Sequence, residues 1–356
     1  IHRKYSYNHN KQNGKEIRNF KWPNGKIRSN IRNEEYYFKN AITWPLITSG
    51  TLSMRYRVAG SIHDVSGKSA FSDNVDLLKS ILGFGNSKVM GITVKILNPT
   101  INFQNGDVVR VPILKIKDKK TVLNLVDDSI SLSKSDWDAF ETSWDFKRSP
   151  LLVNRAVTLE QAYNNWSQEA LNRFNQLKDN EEELNRIFID LYGLQDELTP
   201  EEDDMEVSVR KADQVRDIKA FLSYFIGCVF GRYSLDQDGL AYAGGDWNAS
   251  LYSTFKPNKE NIILLTDRQY FDDERDIIVR LREFLSKTFD PEHLTDNMNF
   301  IAQTLDPKKF ERGVSAEQII RDYFVNDFYK DHAKIYQKRP IYWEFNSGRN
   351  KGFKAL

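Results

Sequence analysis

Apolar residues along this chain change their spacing near residue 158. Before that point they come in short runs broken by Gly, Pro and Asn. EEYYFKNAITWPLITS (34–49) and TLSMRYRVAGSIHDV (51–65) have the β-branched and aromatic content of strands. In DNVDLLKSILGFGNSKV (73–89), Val75, Leu78, Ile81 and Leu82 recur at helical spacing, which predicts a helix stopped by Gly83. TVKILNPTINFQNGDVVRVPI (93–113) sets two apolar runs around an Asn-rich middle. It predicts strand, turn at Asn105-Gly106-Asp107, strand.

Residues 118–157 are read as a connector, with a charged turn (KDKK) and Trp137, Phe140 and Trp144 spaced to anchor a loop or short helix. From Thr158 the period is helical. TLEQAYNNWSQEALNRFNQLKDNEEELNRIFIDLYGL opens on a Thr-x-Glu cap-like start and runs to Gly193 as one long helix or two joined in line. In VRDIKAFLSYFIGCVFGRY, Val215, Ile218, Phe221, Leu222, Phe225 and Val229 share a face that reads as core. Segments 272–289 and 315–336 are amphipathic, and 339–356 predicts a hairpin about Asn346-Ser347-Gly348. The expected fold is α+β. A mainly-β domain (1–117) and the connector (118–157) precede a mainly helical domain (158–356).

At 356 residues with 40% hydrophobic content, the chain can bury a core. Charge changes the picture more. Residues 1–120 hold 21 Lys/Arg against 8 Asp/Glu, and the remainder holds 30 against 42. A basic front half suggests an anionic polymer as partner, and the acidic half suggests a different one. The lone cysteine, Cys228, lies in the apolar run FIGCVFG. It reads as a packed hydrophobe in a reducing, cytoplasmic setting. The longest apolar run, 221–230, is too short to cross a bilayer. The chain opens on Ile-His-Arg rather than Met, as if cut from something longer.

Enzymatic motifs are sparse. The histidines are scattered, and neither a hydrolase elbow nor a P-loop is present. Gly83-Phe84-Gly85 lacks the third glycine and the preceding strand that a dinucleotide loop requires. The adjacent pairs Asp127-Asp128, Asp203-Asp204 and Asp272-Asp273 suit solvated faces better than a nuclease metal site. KEIRNFKWPNGKIRSNIRN (15–33) mixes Arg18, Lys21, Lys26, Arg28, Asn30 and Arg32 with Phe20 and Trp22. Such residues contact phosphates, and Arg and Asn also read base edges. The same composition equally suits an ordinary surface loop in a chain rich in Asn and Lys.

At AITW (41–44), Ser49, Arg55, SGKSAF (66–71), ILGFGNSK (81–88) and NPTINFQNGDVVRVPI (98–113), the chain resembles the target-recognition domain of adenine-specific DNA methyltransferases. ETSWDFKRSPLL (141–152), 217–245 and 327–356 resemble the C-terminal region of the PglX-type methyltransferases of BREX phage-defence systems. The resemblance implies a DNA-specificity portion of an adenine-N6 methyltransferase, acting on double-stranded DNA. It implies S-adenosylmethionine as cofactor of the parent enzyme and none in this portion. The Asn-Pro-Pro-Tyr/Phe motif and Gly-rich cofactor loop of such enzymes do not occur in this sequence. DNA contacts are expected from Arg18, Lys21, Lys26, Arg28, Asn30, Arg55, Arg57, Lys68 and Ser69, with 93–113 as architecture. Other defence-system proteins, or a phage protein that mimics DNA, are further candidate partners, and a docking scaffold is the alternative reading.

Overall fold

The computed structural model describes residues 19–26, 33–48, 50–63, 66–153, 156–348 and 353–356. Helices take up about half the chain and the sheets are small and antiparallel, an α+β fold. The chain forms two compact units, 1–133 with 175–208, and 134–174 with 209–356. These limits differ from the compositional ones at 117 and 158.

The first unit has three strands, β1 (Ala41–Pro45), β2 (Arg55–Arg57) and β3 (Gly67–Phe71), in the order β2-β1-β3. Thr43 stands opposite both Arg55 and Ser69, and Ala41 opposite both Arg57 and Phe71. Helix α1 (Val75–Gly85) starts at Asn74, whose side chain accepts from the Leu77 amide. Helix α2 (Lys88–Leu97) starts at the Ser87 cap. Their apolar stripes, including Leu78, Leu82, Val89 and Val94, bury against Ile42, Trp44 and Met54.

The first helix runs through Gly83 to Gly85. Both glycines serve close packing rather than a stop. A Cβ on Gly83 would lie 2.8 Å from Val126, and one on Gly85 would overlap the Met54 sulfur. TVKIL, expected as a strand, is the end of α2. The Ser87 cap and the burial of Val89, Met90 and Val94 outweigh the strand preference of its β-branched residues. Asn105-Gly106-Asp107, expected as a turn, opens a short helix, α3 (Asn105–Val109), with a Gln104–Asp107 capping box. Between the two helices, the Asn98 amide donates to the Asn102 carbonyl (2.8 Å) and the Asp107 carboxylate (2.7 Å). Among the described residues the front of the chain is therefore more helical than its composition suggests.

Much of the expected connector is helix α4 (Lys119–Asp138), and residues 159–192 form one continuous helix, α5 (Leu159–Tyr192). Each contributes residues to both units. Thr158 caps α5 through the Gln161 amide, and Gly193 ends it at φ 67°.

The second unit is built around α6 (Gln214–Val229). Ile218, Phe221, Leu222, Tyr224, Phe225, Ile226, Cys228 and Val229 are all buried, so this helix is covered nearly all round. Val215, placed on the core stripe by spacing, is instead 46% exposed in the first turn. Around it lie α7 (Ile277–Thr288), α8 (Leu294–Leu305), α9 (Pro307–Glu311), α10 (Ala316–Asn326) and α11 (Phe328–Ile335). The strand pairs β4 (Leu264–Leu265), β5 (Phe345–Asn346) and β6 (Lys354–Ala355) are ordered β4-β6-β5. Cys228 is free and buried, and burial pushes its thiol pKa up.

A bidentate ion pair lies inside this unit. Arg321 donates to both Asp276 oxygens at 2.8 and 3.0 Å, and to Thr266 at 3.0 Å. Asp276 also caps α7 through the Ile278 and Val279 amides. Truncating one partner of such a pair leaves a buried charge unmet, at a cost of about 3–5 kcal/mol. Arg321→Ala should therefore lower the urea unfolding free energy by about that much. A loss near zero would mean that water reaches Asp276.

Candidate nucleic-acid interface

Residues directly opposite one another in an antiparallel ladder point to the same face. The register therefore groups Arg55, Thr43 and Ser69 with Arg57 and Phe71 on one face of the three-stranded sheet. Ile42 and Trp44 point the other way into the core. Lys68 stands opposite Trp44 and so leaves from the core-side face, apart from Arg55, Arg57 and Ser69.

Arg57 is the half-buried cation of this face. Its guanidinium lies 5.7 Å over the Phe71 ring, and its Nε and Nη2 are buried with no acceptor among the described residues. Desolvation lowers its pKa from the usual high value. Phe71 belongs to an aromatic group with Tyr36 (4.8 Å) and His63 (5.1 Å), and Lys39 lies 5.7 Å over Tyr36. Thr43, Tyr36, Lys39 and Phe71 are not among the residues that the sequence singles out for contact. The alternation along β3 is the signal that places Phe71 with Ser69.

Lys21 and Lys26 flank a tight turn. The Trp22 amide donates to the Lys26 carbonyl (2.8 Å), and Gly25 takes φ 80°, which the turn requires. Both lysines are exposed, as are Phe20 and Trp22. Arg18, Arg28 and Asn30 lie outside the described residues.

Folding redistributes the charge. The acidic stretch 194–208 belongs to the same unit as the basic front, which then holds 23 Lys/Arg and 22 Asp/Glu. The second unit holds 28 of each. The half-and-half asymmetry is thus a property of chain order, not of the compact units. The acidic stretch is held by its own unit. Asn185 donates to the Pro200 carbonyl and to Glu202, Lys178 pairs with Asp204 (2.7 Å), and the Lys88 ammonium donates to the Glu201 carbonyl. Any attraction for a polyanion must come from local cationic faces rather than net charge.

Glu181, on α5, is the titratable group tied to this face. Burial, with a smaller contribution from Glu202, raises its pKa to about 7, against the opposing pull of Arg55. Among the described residues, no three His, Cys, Asp or Glu side chains come together as a metal site. No described helix is long and apolar enough to cross a membrane.

No family model matches the chain. It is 54% identical over 338 residues to the adenine-specific methyltransferase PglX of Lacticaseibacillus casei (strain Zhang), an alignment covering 93% of this chain and 28% of that protein. The chain is related to the PglX-type adenine-specific methyltransferases. The adenine-specific methyltransferase BrxX of Escherichia coli O9:H4 (strain HS) is 34% identical over 363 residues, covering 93% of this chain and 29% of that protein. The chain thus spans less than a third of the length of the curated relatives it matches, and the match to PglX falls in its C-terminal part.

The Glu181 shift gives a pH dependence of definite sign. The folded chain keeps this proton up to about pH 7, whereas the unfolded chain loses it near the ordinary glutamate value of 4.5. The native state binds more protons through that window, so this group makes stability fall as pH rises from about 4.5 to 7. Glu181→Gln should flatten that slope and gain roughly 1–3 kcal/mol at pH 8 relative to the parent chain, measured by urea unfolding across pH. Parallel pH profiles for the two chains would show that Glu181 ionises normally.

Proposed function

We infer that this chain is the duplex-DNA-binding, sequence-reading portion of a site-specific adenine-N6 DNA methyltransferase of the BREX type. The observation that carries this reading is the shared sheet face of Arg55, Arg57 and Ser69, in a chain related over 93% of its length to adenine-specific methyltransferases. Arg57 brings donors that lack acceptors, which suits a pair of acceptors on a guanine edge. Lys21, Lys26 and Arg55 are exposed and suit phosphates, which position the duplex without reading it. In the parent enzyme, the catalytic part outside this chain would extrude the target adenine and methylate it from S-adenosylmethionine. The residues here would hold the flanking duplex.

Docking of another protein is the second reading. Ile96 on α2 and Val109 on α3 are 76% and 82% exposed, and large apolar side chains left in water favour a protein partner. In this reading a protein of the defence system, or a phage protein carrying DNA-like charge, is the partner.

The two readings separate in a filter-binding titration of the chain on duplex DNA across salt. DNA binding predicts that log K falls linearly with log salt concentration, by about 0.9 per neutralised phosphate. Lys26→Ala should weaken all sequences alike and reduce that slope. Arg57→Ala should cost about 1–3 kcal/mol at one base position. A salt-independent affinity would overturn the DNA reading.

A further inference from the structure

The second unit contains a cleft of about 560 Å³. That lies within the range of roughly 300–1,000 Å³ typical of small-molecule sites. One wall is a single stripe of α5, formed by Trp166, Glu169 and Arg173 at helical spacing. Facing it are the end of α4 and the segment 145–153.

Most charges at this cleft are already paired. Lys134 pairs with both Asp138 and Asp145, and Arg148 pairs with Asp238 at 2.8 Å. Among the described residues of the lining, three charged groups remain: Glu169, Lys147 and Arg173. Arg173 is only 7% exposed. Its guanidinium lies 4.9 Å over the Trp166 ring, and the Trp166 indole N–H is itself fixed by Asp217 at 3.0 Å. Among the described residues, the one contact that Arg173 makes to an acceptor is to Glu169 at 3.5 Å, the outer limit of a hydrogen bond. Its Nε and Nη2 are buried and have no acceptor among the described residues. Lys147 is exposed and has no acidic partner among the described residues. A buried donor left unmet is costly, and native proteins keep few of them.

We propose that this cleft binds a small organic oxyanion, a phosphate or carboxylate, with Arg173 as its principal ligand and Lys147 at the rim. A planar guanidinium presents parallel donors that match two oxygens of one such group. The incoming group takes the place of Glu169, which is more than half exposed and weakly held. A polymer backbone does not fit this role, because a side chain so deeply set is reached by a small molecule and not by a duplex. The site is independent of the DNA reading and uses none of its residues.

Isothermal titration of the whole chain with inorganic phosphate, AMP and citrate in separate runs tests the proposal. Saturable binding is expected for at least one of them. Heat from phosphate or AMP assigns phosphate chemistry, and heat from citrate alone assigns a carboxylate ligand. Arg173→Met should abolish it. Lys147→Ala, at an exposed position that leaves the core intact, should weaken it by about three- to tenfold, the effect of losing one charge-assisted contact. Glu169→Gln removes the competing carboxylate and should tighten binding, which an arginine that served only packing would not produce. Absence of saturable heat with all three anions, or affinities unchanged in both Lys147→Ala and Glu169→Gln, would overturn the proposal.

Discussion

Buried backbone N–H and C=O groups must find partners, and in this chain asparagine side chains supply many of them. An amide offers a donor and an acceptor together, as a neighbouring strand would. Asn86 uses both on Met54, accepting from its N–H at 2.7 Å and donating to its C=O at 3.1 Å, so the approach to β2 is tied to the end of α1. Asn185 accepts from the Lys88 amide at 2.9 Å and donates to the 200–202 segment. In the second unit, Asn297 accepts from the Leu159 amide at 2.7 Å, and Asn258 donates to the Ile262 and Glu274 carbonyls. Replacing any of these by Asp would keep the acceptor and lose the donor.

This use of asparagine changes how the front of the chain is read. Asn98, Asn102 and Gln104 are bonded to one another and to Asp107. They shape a loop that leads into α3, so TVKILNPTINFQNGDVVRVPI is architecture, although of a different kind from two strands and a turn. The basic groups on the sheet are the ones on which the DNA reading rests. Their contribution is local, since the unit that carries them is almost neutral overall.

Where one strong local signal acted alone, the sequence was legible. The Thr158 cap and the apolar run of α6 each led to the observed element, because nothing nearby competes with them, and of the two readings of 158–193, one helix or two in line, the structure shows one. Legibility failed where tertiary packing decides. TVKIL has strand-like residues but follows a serine cap and buries one helical stripe. The acidic stretch 194–208 is held to the first unit by Asn185, Lys88 and Lys178, contacts that no local pattern announces. Lys68 and Ser69 are neighbours in sequence, and the period of two in a strand sends them to opposite faces. Register, unlike periodicity, requires knowledge of the partner strand.

Three arginines show how the same side chain is divided between structure and recognition. Arg321 is 2% exposed, and both its Nη atoms are bonded to Asp276 and Thr266, so its charge is met inside the fold. Arg57 and Arg173 each rest on an aromatic ring, which holds the guanidinium plane by cation–π attraction without consuming its N–H groups. In both, Nε and Nη2 lack acceptors. Orientation by a ring and satisfaction by a carboxylate can coincide, as where Arg275 lies 4.1 Å over Phe271 and pairs with Asp273. Arg57 and Arg173 differ in keeping donors oriented and unspent among the described residues. An acceptor that completes such a group gains the hydrogen bonds without first ordering the side chain. On that physical ground Arg57 and Arg173, rather than the more numerous exposed lysines, are the positions on which the two proposals rest.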